Sequence, residues 1–135
     1  MDQGATGATN EDADGVRFTV SVDPGPDATV LRLAGELDHD TADSLSGAFE
    51  TALAGSTLRV LVDCEGLDFC DSTGLNVLLR ARLTATEAGT VVELTGLHAA
   101  VARLFEITGA DGVFRTYPTL ADAFAEGAAA RVEDK

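Results

Sequence analysis

Residues 67–78 read LDFCDSTGLNVL, and the run changes character in its middle. Apolar residues give way to an acid, two hydroxyls and a glycine (Asp71, Ser72, Thr73, Gly74), after which apolar residues return at helical spacing. Two kinds of chemistry use such residues. A small polar side chain can cap a helix by accepting a hydrogen bond from a backbone N–H two or three positions on. That needs one residue, either Asp71 or Ser72, and not three in a row followed by Gly74. A glycine this early in a helix costs roughly 1 kcal/mol relative to alanine, so something must approach the backbone closely there. The other use is a hydroxyl presented for chemistry, its own or another protein's.

As a nucleophile, Ser72 would need a base within reach and a group to orient that base. The chain has only His39 and His98, and no Gly-x-Ser-x-Gly elbow surrounds Ser72. Two residues, not one, separate Asp71 from Gly74, and the motif has no second copy, which separates it from the Asp-Thr-Gly of aspartic proteases. Phosphate-binding glycine loops are absent from the sequence. A receiver-type phosphoacceptor at Asp71 would need a lysine late in the sheet, and the only lysine is the terminal Lys135. What is left is a hydroxyl that another protein modifies. Phosphorylation of Ser72 would add about −1.5 to −2 charges at a helix N-terminus, where the dipole tolerates an anion. A partner surface docked near Asp38, Asp68 and Asp71 would meet a new dianion.

The elements that hold this motif can be read from hydrophobic period and turn residues. Residues 16–22 (VRFTVSV) and 29–35 (TVLRLAG) alternate and flank DPGPDA, which predicts a hairpin. Asp40 or Thr41 is placed to cap a helix whose apolar stripe is Leu45, Ala48, Phe49, Ala52 and Leu53, ending at Gly55. Residues 58–63 (LRVLVD) are nearly all apolar, the pattern of a central strand, and CEGLDFCD connects them to the motif. From Thr73 onward Leu75, Leu78, Leu79 and Leu83 form one stripe, ending at Gly89. A strand over 90–96, a helix marked by Val101, Leu104 and Phe105 and stopped by Gly109, and a short strand over 113–117 follow. Thr119 caps a last helix with Leu120, Ala123 and Phe124 inward and Asp122 in its first turn.

The expected fold class is α/β, a single domain over residues 16–127 with a mixed β-sheet and the order ββαβαβαβα. Residues 1–15 read as a disordered acidic tail and 128–135 as a frayed end. In such a sheet, sites lie beyond the C-terminal ends of parallel strands, so the loop GELDHDTA should bring Asp38 close to Ser72.

Nine basic residues against 23 acidic ones give a net charge of −14. A surface this acidic repels phosphate backbones and anionic membranes, so direct binding to nucleic acid or membrane is not expected. No apolar run approaches a membrane span, and the first 15 residues lack the basic and apolar parts of a secretory leader. The default address is the cytoplasm. Cys64 and Cys70 match neither zinc nor redox spacing and are expected to be small packed residues. No metal or cofactor is expected.

GELDHDTA, VDCEGLDFCDSTGLNVLL and VARLFEITG resemble the bacterial anti-sigma-factor antagonists, members of the STAS (sulfate transporter and anti-sigma-factor antagonist) domain family. The resemblance covers about residues 16–127 and implies a non-enzymatic STAS-like fold. It implies binding to an anti-sigma factor that is also a serine kinase, release of a sigma factor, phosphorylation on Ser72, and reversal by a PP2C-type phosphatase. Asp38, Asp71, Ser72, Thr73, Gly74, Leu75 and Asn76 are then the partner-binding positions. Thr73 stands where a second serine is common, and Asn76 where glycine is frequent. Two other readings compete: a non-phosphorylated STAS scaffold subunit of a transport or signalling complex, and a hydrolase that uses Ser72.

Overall fold

Burial alternates along the first strand of the hairpin, where Phe18, Val20 and Val22 turn to the same side as Leu31, Leu33 and Leu37 of the second. The computed structural model describes residues 7–12 and 15–133, with side chains over 17–127. Its elements are β1 (Gly7–Asp12), β2 (Gly15–Pro24), β3 (Thr29–Leu37), α1 (Ala42–Ala54), β4 (Arg59–Cys70), α2 (Ser72–Glu87), β5 (Val91–Thr95), α3 (Ala99–Thr108), a 3-10 turn (Ala110–Gly112), β6 (Thr116–Tyr117) and α4 (Leu120–Glu133). From β2 onward this is the expected order.

The six strands lie side by side in chain order. β1, β2 and β3 are antiparallel neighbours, while β3, β4, β5 and β6 pair in parallel. Side-chain alternation divides the core. Val60, Val62, Val92 and Leu94 join Leu45, Phe49, Leu78, Val101 and Phe105 from α1, α2 and α3 in the larger cluster. On the opposite face Val30 and Leu61 meet Ala123 of α4, with Tyr117 and Leu120 beside them. Arg59 ties α4 down there, donating to Glu93 Oε1 at 2.8 Å and to the Ala123 carbonyl at 2.7 Å.

Several expectations are corrected. The composition of residues 1–15 predicts a disordered tail, but Gly7–Asp12 pairs antiparallel with β2 from Gly7↔Ser21 to Asp12↔Gly15. Backbone pairing at a sheet edge asks little of side-chain type, so polarity did not reveal it. Residues 1–6 and 13–14 lie outside the described residues. The frayed end expected from 128 is helical to Glu133, because the Ala-rich run favours a helix; residues 134–135 lie outside the described residues.

The expected connection CEGLDFCD is strand as far as Cys70. β4 runs on beside β3 through Ala34↔Gly66, Gly35↔Leu67, Glu36↔Phe69 and Leu37↔Cys70, with two register shifts absorbing the extra residues. Gly66 makes the approach possible, since a Cβ there would stand 2.8 Å from the Leu33 carbonyl oxygen. Leu83 and Phe124 are exposed at 59% and 38%, so small residues complete both helix faces: Ala81 and Ala85 on α2, Ala123 on α4. The strand expected over 113–117 shrinks to Thr116–Tyr117, because the N–H groups of Val113 and Phe114 donate back to the Ala110 carbonyl at the start of the 3-10 turn.

Candidate functional site

Asp71 is the first residue after β4 and the N-cap of α2, and its backbone is extended. Its Oδ1 accepts from the Gly74 N–H at 2.9 Å, and its Oδ2 accepts from the His39 N–H at 3.2 Å. Its own N–H donates to the Leu37 carbonyl at 3.1 Å. One carboxylate thus caps α2 and holds the β3–α1 loop beside it, which fixes the edge where the two chain segments meet. Replacing Asp71 by Ala is expected to cost about 1–2 kcal/mol, the upper part of the usual capping range, because two N–H groups lose their acceptor. Urea denaturation measures this; an unchanged midpoint would mean water replaces both bonds.

Ser72 follows the cap as the first residue of α2 and is exposed. Among the described residues its hydroxyl has no hydrogen-bond partner. The cap that either Asp71 or Ser72 could have supplied is therefore the carboxylate, which leaves the hydroxyl to solvent. Thr73 is half-buried and, with the exposed Asn76, lines a groove between α1 and α2.

Gly74 and Leu75 are buried. A Cβ on Gly74 would lie 2.6 Å from Leu37 Cγ and 3.2 Å from Cys70 Sγ. What approaches the backbone at this glycine is the fully buried Leu37, so Gly74 sets how closely α2 sits on β3. Both residues position the edge from beneath; within the motif Asp71–Asn76, the exposed residues are Ser72 and Asn76.

Asp38 is at the same edge, as expected. Its carboxylate turns inward: Oδ2 accepts from Arg17 at 2.9 Å, and Oδ1 accepts from the N–H groups of Asp40 and Thr41 at 3.0 and 3.2 Å. The Arg17 hydrogen bond holds its carboxyl below the usual carboxylate range. Asp38 also takes over the α1 entry expected of Asp40 or Thr41. Thr41 occupies the N-cap position, but its hydroxyl donates to the Glu36 carbonyl at 2.9 Å instead of capping the helix.

Neither histidine serves Ser72. His39 is bound to the site through its backbone, and the His98 ring contacts the Glu65 carbonyl. Cys64 and Cys70 are free and buried. Burial, with Asp71 adding to it, pushes the Cys70 thiol up to about 12, and burial raises Cys64 as well, so both stay protonated and unreactive. Among the described residues no cluster of His, Cys, Asp or Glu could hold a metal ion, and no helix is long and apolar enough to cross a membrane.

Two features were missed in the sequence. Phe69, assigned there to a loop, lies at the end of β4 with 48% of its surface exposed, three positions before Ser72. An aromatic just upstream of the motif, in a stretch rich in apolar residues, was the available signal. The α1–α2 groove had none, since it depends on how two helices are spaced.

The family model described as "Mlab, STAS domain" matches residues 20–120. An anti-sigma-F factor antagonist, RsfB, of Mycobacterium tuberculosis is 29% identical over 108 residues, covering 78% of this chain and 86% of that protein. An anti-sigma F factor antagonist of Paenibacillus polymyxa is 26% identical over 98 residues, covering 72% and 84%. The crystal structure of an anti-sigma factor antagonist from Mycobacterium paratuberculosis superposes with a TM-score of 0.74 at 27% identity, covering 87% of this chain and 97% of that one. These relatives carry the names of regulatory antagonists and not of enzymes. With the family model spanning β2 to α4, and with the same α/β sheet in a solved relative, the chain belongs to the STAS domain family.

Proposed function

We propose that this protein is an anti-sigma factor antagonist. It binds an anti-sigma factor that is also a serine kinase, so that a sigma factor is released, and phosphorylation of Ser72 ends the binding. The kinase transfers the γ-phosphoryl group of ATP to Ser72 Oγ, the hydroxyl proton passes to a base of the kinase, and ADP leaves. A PP2C-type phosphatase hydrolyses the phosphoserine and restores the binder. The antagonist supplies the acceptor and the docking surface, and no catalytic group.

The observation that carries this reading is the Ser72 hydroxyl itself, exposed and without a partner among the described residues at the first position of α2, with the capping role filled by Asp71. The names of the relatives support the same reading. A phosphate at Ser72 would also sit well there, close to the free N–H groups of the first turn.

After incubation with its kinase and ATP, peptide mass spectrometry is expected to place a single phosphate on Ser72. Thr73 should stay unmodified, because its side chain is half-buried and faces the groove. Modification at Thr73 alone would sink the assignment.

A further inference from the structure

The groove between α1 and α2 has a volume of about 940 Å³ and opens at one end on Thr73 and Asn76. Phe49, Leu53, Val77 and Ala81 give it an apolar floor. Asp43 and Glu50 stand exposed on its α1 wall, seven residues apart, so that they share one face about 10.5 Å apart along the axis. Neither has an ion-pair partner among the described residues. The facing wall of α2 contributes a single cation, Arg80.

We infer that this groove receives a basic amphipathic helix of the anti-sigma factor. The inference rests on the antagonist reading and extends it from the Ser72 edge to a second, continuous contact. Residues 43–53 of α1 and 73–84 of α2 give walls of about 15 Å, the length of roughly three helical turns. An apolar stripe at i, i+3, i+4 and i+7 fits the floor, which is how helices are recognised in grooves. Lysine or arginine at seven-residue spacing on the flank of that stripe meets Asp43 and Glu50. A second copy of this chain is a poor occupant, because each carries a net charge of −14. A phosphate on Ser72, next to Thr73, would stand at the mouth of the groove, so modification would act on both contacts together.

The test measures calorimetric affinity of the purified anti-sigma factor kinase at two salt concentrations for the unmodified protein, D43K/E50K, D43N/E50Q and E106K/D111K. The last pair makes the same charge change outside the groove. D43K/E50K is expected to bind at least tenfold more weakly, and E106K/D111K within about twofold of the unmodified protein. D43N/E50Q keeps the side-chain shapes and should bind a few-fold more weakly with a flatter salt dependence. Thermal melts confirm that the variants are folded. A photocrosslinker at Ser46, inside the groove, is expected to label a peptide of net positive charge. If the unmodified protein fails to bind the kinase, the antagonist reading itself falls. If it binds, and D43K/E50K or D43N/E50Q matches it, the groove alone is overturned. A crosslink to an acidic peptide, to a second copy, or to nothing, overturns it equally.

Discussion

Ser72→Asp is expected to abolish binding to the anti-sigma factor kinase while moving the thermal midpoint by only a few degrees, and Ser72→Ala is expected to bind normally. The two halves of this result have separate causes. In the free protein, position 72 is exposed at the start of α2, where the dipole and open N–H groups favour an anion by about 0.3–1 kcal/mol. Asp71 repels it, but Asp71 is engaged with two N–H donors, and Asp38 is neutralised by Arg17. Charges in water interact weakly, so the fold keeps nearly all of its stability. In a complex the same carboxylate is shut away from water without a partner, which costs about 2–5 kcal/mol. Alanine introduces no charge. Because Asp71 is the cap, Ser72→Ala removes no structural hydrogen bond, and its stability should lie within about 0.5 kcal/mol of the parent. Calorimetric titration and thermal melts on both variants measure these outcomes, with the authentic phosphoprotein as the full-charge form. Tight binding by that phosphoprotein would remove the switch.

Gly35→Ala should be among the most damaging single-methyl changes, costing about 3–5 kcal/mol, enough to leave a domain of ordinary stability of about 5–15 kcal/mol marginal. Gly35 adopts φ +98°, and a Cβ there would lie 2.0 Å from the Arg17 carbonyl oxygen and 3.1 Å from Phe18 Cα. The obstacle is backbone, so no side-chain rotation relieves it. Gly35 pairs with Phe18 on one side and with Leu67 on the other, and the register shift into Glu36↔Phe69 follows immediately. Moving it breaks hydrogen bonds in two ladders. It would also displace Arg17, the partner of Asp38, and so loosen the α1 entry beside the site. Urea denaturation monitored by circular dichroism gives the loss. A change below about 1 kcal/mol would mean that β2 can move away at little cost.

The local pattern of the sequence is enough to place most of the elements. Leu45, Ala48, Phe49 and Ala52 on α1, and Val101 and Phe105 on α3, turn inward as their spacing predicts. Gly109 ends α3 in the left-handed conformation at φ +83° that glycine favours. The motif was legible too: an acid before a hydroxyl before a helix puts Ser72 at an N-terminus whatever the sheet does. Leu83 and Phe124 misled because a leucine or phenylalanine near the right phase of a stripe looks internal, while alanine carries too little apolar weight to compete.

Alternation, helical period and capping residues act within a few positions of one another, so the sequence by itself determined the α/β order, the helix that starts at the motif, and the place of Ser72 at its N-terminus. Tertiary structure decided which of the three polar residues caps and which is free, because the second acceptor oxygen of Asp71 is used by His39, 32 positions away. It also decided that Gly74 makes room for Leu37, that β4 continues to Cys70, and that α1 and α2 leave a groove. Each of these depends on the spacing and register of segments distant in the chain. That spacing is set by close packing of the whole core; Gly74 marked a close approach in the sequence, but nothing there named Leu37 as the residue that makes it.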